Sequence, residues 1–195
     1  MPSEETATQI IPDLGKALPK RAAAELAKRI RERKLIPDAS YREANVYHLG
    51  DNQTGYIVLE QHGEVIYFVR YEAIKHNKLN LGRQVLVWRN KTSPASVGFA
   101  SSVFFKELLP RFTALVADQQ QTEAGQGFWQ YALDKAFVDN LHVYYLDRRS
   151  TPNRLVPLLS MNDVQKHEHE LWGDDEGHKR TFAVISKKPL HIKTD

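Results

Sequence analysis

One stretch limits the possible folds more than any other, the run from Phe112 to Leu146. It opens with the short apolar segment Thr113-Ala114-Leu115-Val116-Ala117 and passes through the polar segment Asp118 to Gly127. It then carries Phe128, Trp129, Ala132, Leu133, Ala136 and Phe137 before ending in His142 to Leu146. A run of five residues is too short for a buried helix and suits a buried strand. The following apolar positions repeat at i, i+1, i+4 and i+5, which predicts an amphipathic helix over Ala124 to Phe137. Strand, helix and strand within so short a span predict an α/β chain. A crossover of this kind implies two parallel strands joined by a right-handed connection.

The residues before this unit predict a different local pattern. Arg42 to Leu49, Tyr56 to Leu59, Val65 to Val69 and Arg83 to Trp88 are rich in β-branched and aromatic side chains. Gly50-Asp51-Asn52 and His62-Gly63 are turn chemistry between them, and His62-Gly63 reads as a hairpin. About four mostly antiparallel strands are therefore expected in the first half. Ser102 to Phe112 and Leu155 to Leu171 read as helices, and Arg180 to Ser186 as a closing strand. The expected fold is one α/β domain over residues 13–195, a mixed and mostly antiparallel sheet flanked by helices, after a loose segment 1–12.

Charge is unevenly spread. The net charge is only +3, yet eight Lys and Arg fall between Lys16 and Lys34 against Glu25 and Glu32. Leu18, Ala22, Leu26 and Ile30 recur every four residues, which predicts a basic amphipathic N-terminal helix within 13–36. Lys16, Lys20, Lys28 and Arg31 fall on the side away from the apolar stripe. Such a face is either solvated or a contact for nucleic acid or an acidic protein. No apolar run reaches the roughly 18 residues of a membrane span, and Met1 to Gln9 lacks the pattern of a signal peptide. The absence of cysteine removes disulfides, thiolate metal ligands and a cysteine nucleophile. These features together point to a cytoplasmic protein.

Two glycines at the start of a helix let backbone N–H groups approach a ligand, and the helix dipole favours an anion there. The stretch Thr122-Glu123-Ala124-Gly125-Gln126-Gly127 resembles the acyl-CoA motif of the GNAT superfamily of N-acyltransferases, Q/R-x-x-G-x-G/A. Thr122 stands where that family has Gln or Arg, Gln121 sits one place early, and Glu123 puts a negative charge in the loop. The succession of strand, helix, strand, helix and strand over residues 97–188 is also similar to the C-terminal half of a GNAT domain, whereas the first half is not. The resemblance implies transfer of an acyl group from acetyl-CoA or another acyl-CoA to an amine. It implies that Val116, Gln121, Thr122, Gly125, Gln126 and Gly127 bind the cofactor. It also implies a tyrosine acid, near which Tyr145 and Tyr144 lie, one on each face of the strand His142 to Leu146. Asp118, at the C-terminal end of a predicted strand, is either a base or the cap of the next turn. The alternative reading of the glycine segment is a tight turn that brings helix and strand together.

Other constellations are weaker. His167-Glu168-His169-Glu170 has its histidines two apart, on different faces of a helix, and lacks the H-E-x-x-H spacing of a zinc site. No nucleotide P-loop and no G-x-S-x-G elbow occur. A non-catalytic binding or regulatory module working through the basic helix, such as an accessory protein of a phage or mobile element, is the competing reading.

Overall fold

A computed structural model describes residues 19–76, 79–117, 123–149, 153–172 and 180–190. The fold is α/β, with helices flanking a nine-stranded, mostly antiparallel sheet. Its strand order is β1-β2-β3-β4-β5-β6-β9-β7-β8. The strands are β1 (Ala39–Tyr41), β2 (Ala44–Gly50), β3 (Thr54–Gln61), β4 (Glu64–His76), β5 (Leu79–Arg89), β6 (Ala114–Val116), β7 (His142–Asp147), β8 (Arg154–Leu158) and β9 (Thr181–Ser186). The helices are α1 (Pro19–Glu32), α2 (Phe99–Ser102), α3 (Leu109–Arg111), α4 (Glu123–Val138), α5 (Met161–Lys166) and α6 (Glu168–Trp172), with π-helical Val103–Leu108 between α2 and α3. Contacts divide the chain into two compact units. The first takes the described parts of 1–73 with 84–107, the second those of 74–83 with 108–195.

In the first unit the described part of α1 runs from Pro19 to Glu32. Ala22, Ala23, Leu26, Ala27 and Ile30 are buried, in a cluster with Tyr47, Leu49, Tyr56, Val58, Val65 and Phe68. The helix stops before Pro37. Lys34 turns left-handed (φ 49°), its N–H donates to Arg31 O, and Leu35 N–H reaches back to Ile30 O. That is a Schellman cap with lysine in the place glycine usually takes, closed by Leu35 packing on the same cluster. Lys16 and the rest of 13–18 lie outside the described residues.

Strands β2, β3 and β4 follow as antiparallel neighbours. The β2–β3 turn is held by Asp51, whose Oδ1 accepts the N–H groups of Gln53 and Thr54 at 2.7 and 2.9 Å. His62 and Gly63 adopt positive φ of 53° and 84°. That pairing is what a two-residue hairpin turn needs. Phe99 of α2 meets Tyr67 and Tyr41 edge-on, each at 5.0 Å between ring centroids.

The second unit is assembled from segments far apart in sequence. The start of β5 runs parallel to β6, pairing Leu81 with Ala114, Gly82 with Leu115 and Arg83 with Val116. Gly82 is required there, because a Cβ would fall inside the van der Waals surface of the Phe112 ring. Strand β9 is antiparallel to both β6 and β7, and β8 pairs with β7. Helix α4 buries Trp129, Ala132, Leu133 and Ala136. At its end Asn140 is left-handed (φ 55°) and Leu141 N–H donates to Ala136 O. Both features repeat the cap of α1.

Four expectations change. The parallel partner of β6 is β5; β6 and β7 are held apart by β9, the last strand to be made, which inserts between them. Leu155–Leu158, expected as the start of a helix, belongs to strand β8, where Pro157 is tolerated at the end of the sheet. The helix expected to follow is two short ones, α5 and α6, broken at His167. The first half holds five strands, because Ala39–Tyr41 adds a short one before β2. Among the described residues no helix is long and apolar enough to cross a membrane.

Candidate functional site

In the second unit β6 ends at Val116, and Ala117 continues the ladder by donating its N–H to Ala183 O at 3.0 Å. Both residues are buried and line a cavity of about 70 Å³. Its apolar lining comes from Ile74, Leu81, Leu146 and Phe182, the last two being a cross-strand pair of β7 and β9. Leu81, Val116, Leu146 and Phe182 face the same way as Ala114, Tyr144 and Val184, forming one apolar cluster.

Three cations complete the lining: Lys75 near the end of β4, Arg83 on β5, and Arg148 just after β7. Arg148 is anchored twice. Its backbone N–H donates to Arg180 O at 2.8 Å. Its guanidinium lies 6.0 Å from the centroid of the Phe182 ring, within reach of a cation–π attraction. No acidic side chain lines the cavity among the described residues. The glycine segment contributes no cation of its own, so positive charge comes from residues that sequence spacing does not connect. Their only sequence signal is Arg83, a charge inside an otherwise strand-like run.

The two tyrosines do not converge. Tyr144 belongs to the cluster beneath the cavity, where its hydroxyl accepts the N–H of Leu190 at 2.9 Å. Tyr145, one residue on, points to the opposite face of β7. There its ring stacks on His167, 4.6 Å between centroids, and its hydroxyl accepts from Arg149 Nη2 at 2.9 Å. Arg149 also grips Asp147 with Nε at 3.0 Å and Nη2 at 2.9 Å. Burial pushes the Tyr145 phenol above its ordinary value, with Arg149 pulling it down and Asp147 and Glu170 pushing it up. The hydrogen bonds from Arg149 hold Asp147 below the usual carboxylate range. Tyr145 therefore keeps its proton at neutral pH, as an acid must, but it is buried within a side-chain network.

Gly125, Gln126 and Gly127 lie within α4, not in a loop before it. Neither glycine has positive φ, and a Cβ on Gly127 would meet nothing within 4 Å. Gly127 is a helical position open to approach. Asp118, Gln121 and Thr122 lie outside the described residues. The structure thus brings Val116 and Tyr144 into one cluster and places Tyr145 on the other face. His167 is occupied in the Tyr145 stack, while His169 lies in α6.

The first unit holds a separate polar group. His48 on β2 has its Nε2 3.3 Å from Glu107 Oε2, and its backbone N–H donates to Asp38 Oδ2 at 2.6 Å. Glu107 is carried by the π-helical turn, an irregularity often found where a helix side chain must be re-aimed. Compared with known proteins, the chain matches no family model, no curated protein and no solved structure.

Proposed function

We propose that the chain is a GNAT-like N-acyltransferase that moves an acyl group from acyl-CoA to an amine acceptor. The observation that carries this reading is the end of β6. Ligands of open sheets with parallel strands gather at the carboxyl ends of those strands. Strand β6 has a parallel partner, its C-terminal residues Val116 and Ala117 line a cavity, and α4 begins at Glu123 shortly afterwards. The order β6, α4, β7, α5, α6, β9 supports the same resemblance, with β8 as an addition. In this reading the pantetheine arm passes over the end of β6, the start of α4 with Gly125, Gln126 and Gly127 takes the anionic end, and Tyr144 is the tyrosine that shares an apolar cluster with Val116.

Calorimetric titration with acetyl-CoA and with CoA tests it. One site per chain is expected. Gly127→Asp, which introduces a carboxylate without a steric clash, should weaken binding by about tenfold or more. No heat at millimolar ligand, with the protein folded by circular dichroism, would end the acyltransferase reading.

The second reading, a binding module for nucleic acid or an acidic protein, is favoured by the outer face of α1. Lys20, Arg21, Lys28 and Arg31 are all exposed there, with Arg33 and Lys34 just beyond. Fluorescence anisotropy with a short DNA duplex should then show affinity falling steeply with salt. It should weaken further in a Lys20→Glu, Lys28→Glu variant. Absence of binding in low salt removes this reading.

A further inference from the structure

We infer that the outer face of α4 docks on the same face of a second copy of this chain, the two helices running antiparallel about a two-fold axis between Asp134 and Lys135. The inference rests on α4 alone and does not require the acyl-transfer reading. Helix α4 buries Trp129, Ala132, Leu133 and Ala136 within its own unit. Its other side is not the polar face that a surface helix turns to water. Among the described residues of the second unit, the large apolar side chains left exposed are Tyr131, Val138 and Leu159, and the first two belong to α4. Seven residues apart, Tyr131 and Val138 share one side of the helix, two turns from each other. Phe128 extends that side, its ring centroid 6.4 Å from that of Tyr131. Helix α1 shows the contrast, because its buried apolar residues form one stripe and its exposed positions are largely charged. A helix that is apolar on two sides needs a neighbour on both.

The occupant follows from the polar residues set within this face. Asp134 and Lys135 lie midway between Tyr131 and Val138. Two-fold pairing is isologous, so where one residue meets a second, the second also meets the first. With the axis between 134 and 135, the antiparallel register sets Tyr131 of each copy on Val138 of the other. Phe128 then meets Leu141, and Asp134 meets Lys135, every contact being made twice. The face is thus complementary to itself, apolar against apolar and acid against base. Lys135 keeps its bond to Asp139 at 2.8 Å and still has ammonium N–H groups to offer Asp134 of the second copy. Antiparallel helix dipoles add a further attraction. A seam of about four turns from one helix pair falls at or below the roughly 1,200 Å² of a stable complex. The dimer should therefore be transient, half dissociated at a concentration on the order of 10 μM.

Sedimentation velocity at low ionic strength, from about 1 μM to about 300 μM, tests this. The wild type is expected to pass from monomer to dimer across that range. Val138→Glu sets a carboxylate against Tyr131 and should weaken association about tenfold or more. Val138 is 73% exposed, so the fold should survive, which circular dichroism checks. Asp134→Lys and Lys135→Glu, each alone, bring like charges together and should each weaken association about three- to tenfold. Mixed in equal amounts, these two variants should associate more tightly than either does alone, because every 134–135 contact then joins opposite charges. Val97→Glu, also at an exposed position but in the first unit, should leave association unchanged. A wild type still monomeric at about 300 μM overturns the proposal and leaves this face to a different protein. Dimerisation untouched by Val138→Glu overturns it as well, and so does a mixture no tighter than its parts. A monomer that binds acetyl-CoA would remove this inference alone, and a dimer that binds none would remove only the acyltransferase reading.

Discussion

The two units are built from similar strands but on opposite principles. In the first, β1 to β4 are sequence neighbours that pair in order through tight turns, and α1 buries one apolar stripe against them. In the second, β6 pairs with the start of β5 across a helical excursion, and β9 slots between β6 and β7. Hairpins reward local chain closure at once, whereas inserted strands need distant segments to meet first. The second unit should therefore depend more on a few tight packing points.

The largest test of this contrast is Leu26→Ala in α1. Leu26 is wholly buried, so truncation should cost about 3 kcal/mol. Hydrogen exchange should show protection lost in α1 and β2 to β4 while α4 and β9 keep theirs. Equal loss in both units would mean that they unfold as one cooperative body, and the contrast would be one of assembly only.

Next in size is Gly82→Ala. The added methyl would meet Phe112 at distances no real contact tolerates, which should cost about 2 kcal/mol in a urea titration. Phe112→Leu should recover part of that loss in the double variant. Strict additivity of the two changes would show that Gly82 is not kept small by the ring.

These two positions also show what the sequence could disclose. Leu26 was legible, because a four-residue spacing marks a buried helix stripe. The His62-Gly63 turn was legible for a similar reason, as its backbone demands leave few residue choices. Strand β9 and helix α4 were read within two residues of their ends. The place of β9 between β6 and β7 was not legible, since strand order is set by contacts that no local period reports. Leu155–Leu158 misled because its apolar residues merge into those of α5, and a proline at the third position of the expected helix does not argue against one. The cavity cations were the least visible feature. Lys75, Arg83 and Arg148 look like ordinary surface charges until three separate strands bring them to one place.

A smaller effect sits in the second unit at the Asp147–Arg149 pair. Asp147 is held below the ordinary carboxylate range mainly by the hydrogen bonds from Arg149. A depressed folded-state value means the contribution is full above the unfolded value of about 3.9, and is lost as pH falls through the folded one. Arg149 is partly exposed, so the pair should contribute about 1 kcal/mol or less. Arg149→Gln should therefore flatten the acid limb of the stability curve below about pH 4, with little change in slope at neutral pH. An unchanged acid limb would show that Asp147 owes its low value to something other than Arg149.

The smallest expected effect returns to α1, where two ion pairs of the same spacing differ in order and geometry. Glu25 precedes Arg29, with Nε 3.1 Å from Oε1, and both side chains are partly sheltered. Lys28 precedes Glu32 at 3.8 Å, with both side chains more than half exposed. An acid placed N-terminal to its base also agrees with the helix dipole. The Glu25–Arg29 pair should couple by about 0.3–0.5 kcal/mol in a double-mutant cycle, and Lys28–Glu32 by close to zero. Adding salt should shrink the first value only partly, because shelter reduces screening. The asymmetry bears on the polyanion reading as well. Arg29 is engaged with Glu25, and Arg31 donates to Gly63 O at 3.0 Å, whereas a weak Lys28–Glu32 pair leaves Lys28 available beside Lys20. If Lys28–Glu32 proves the stronger pair, the charge on this face is tied up within the helix, and a salt-sensitive partner would have to be sought through Lys20 and Arg21 instead.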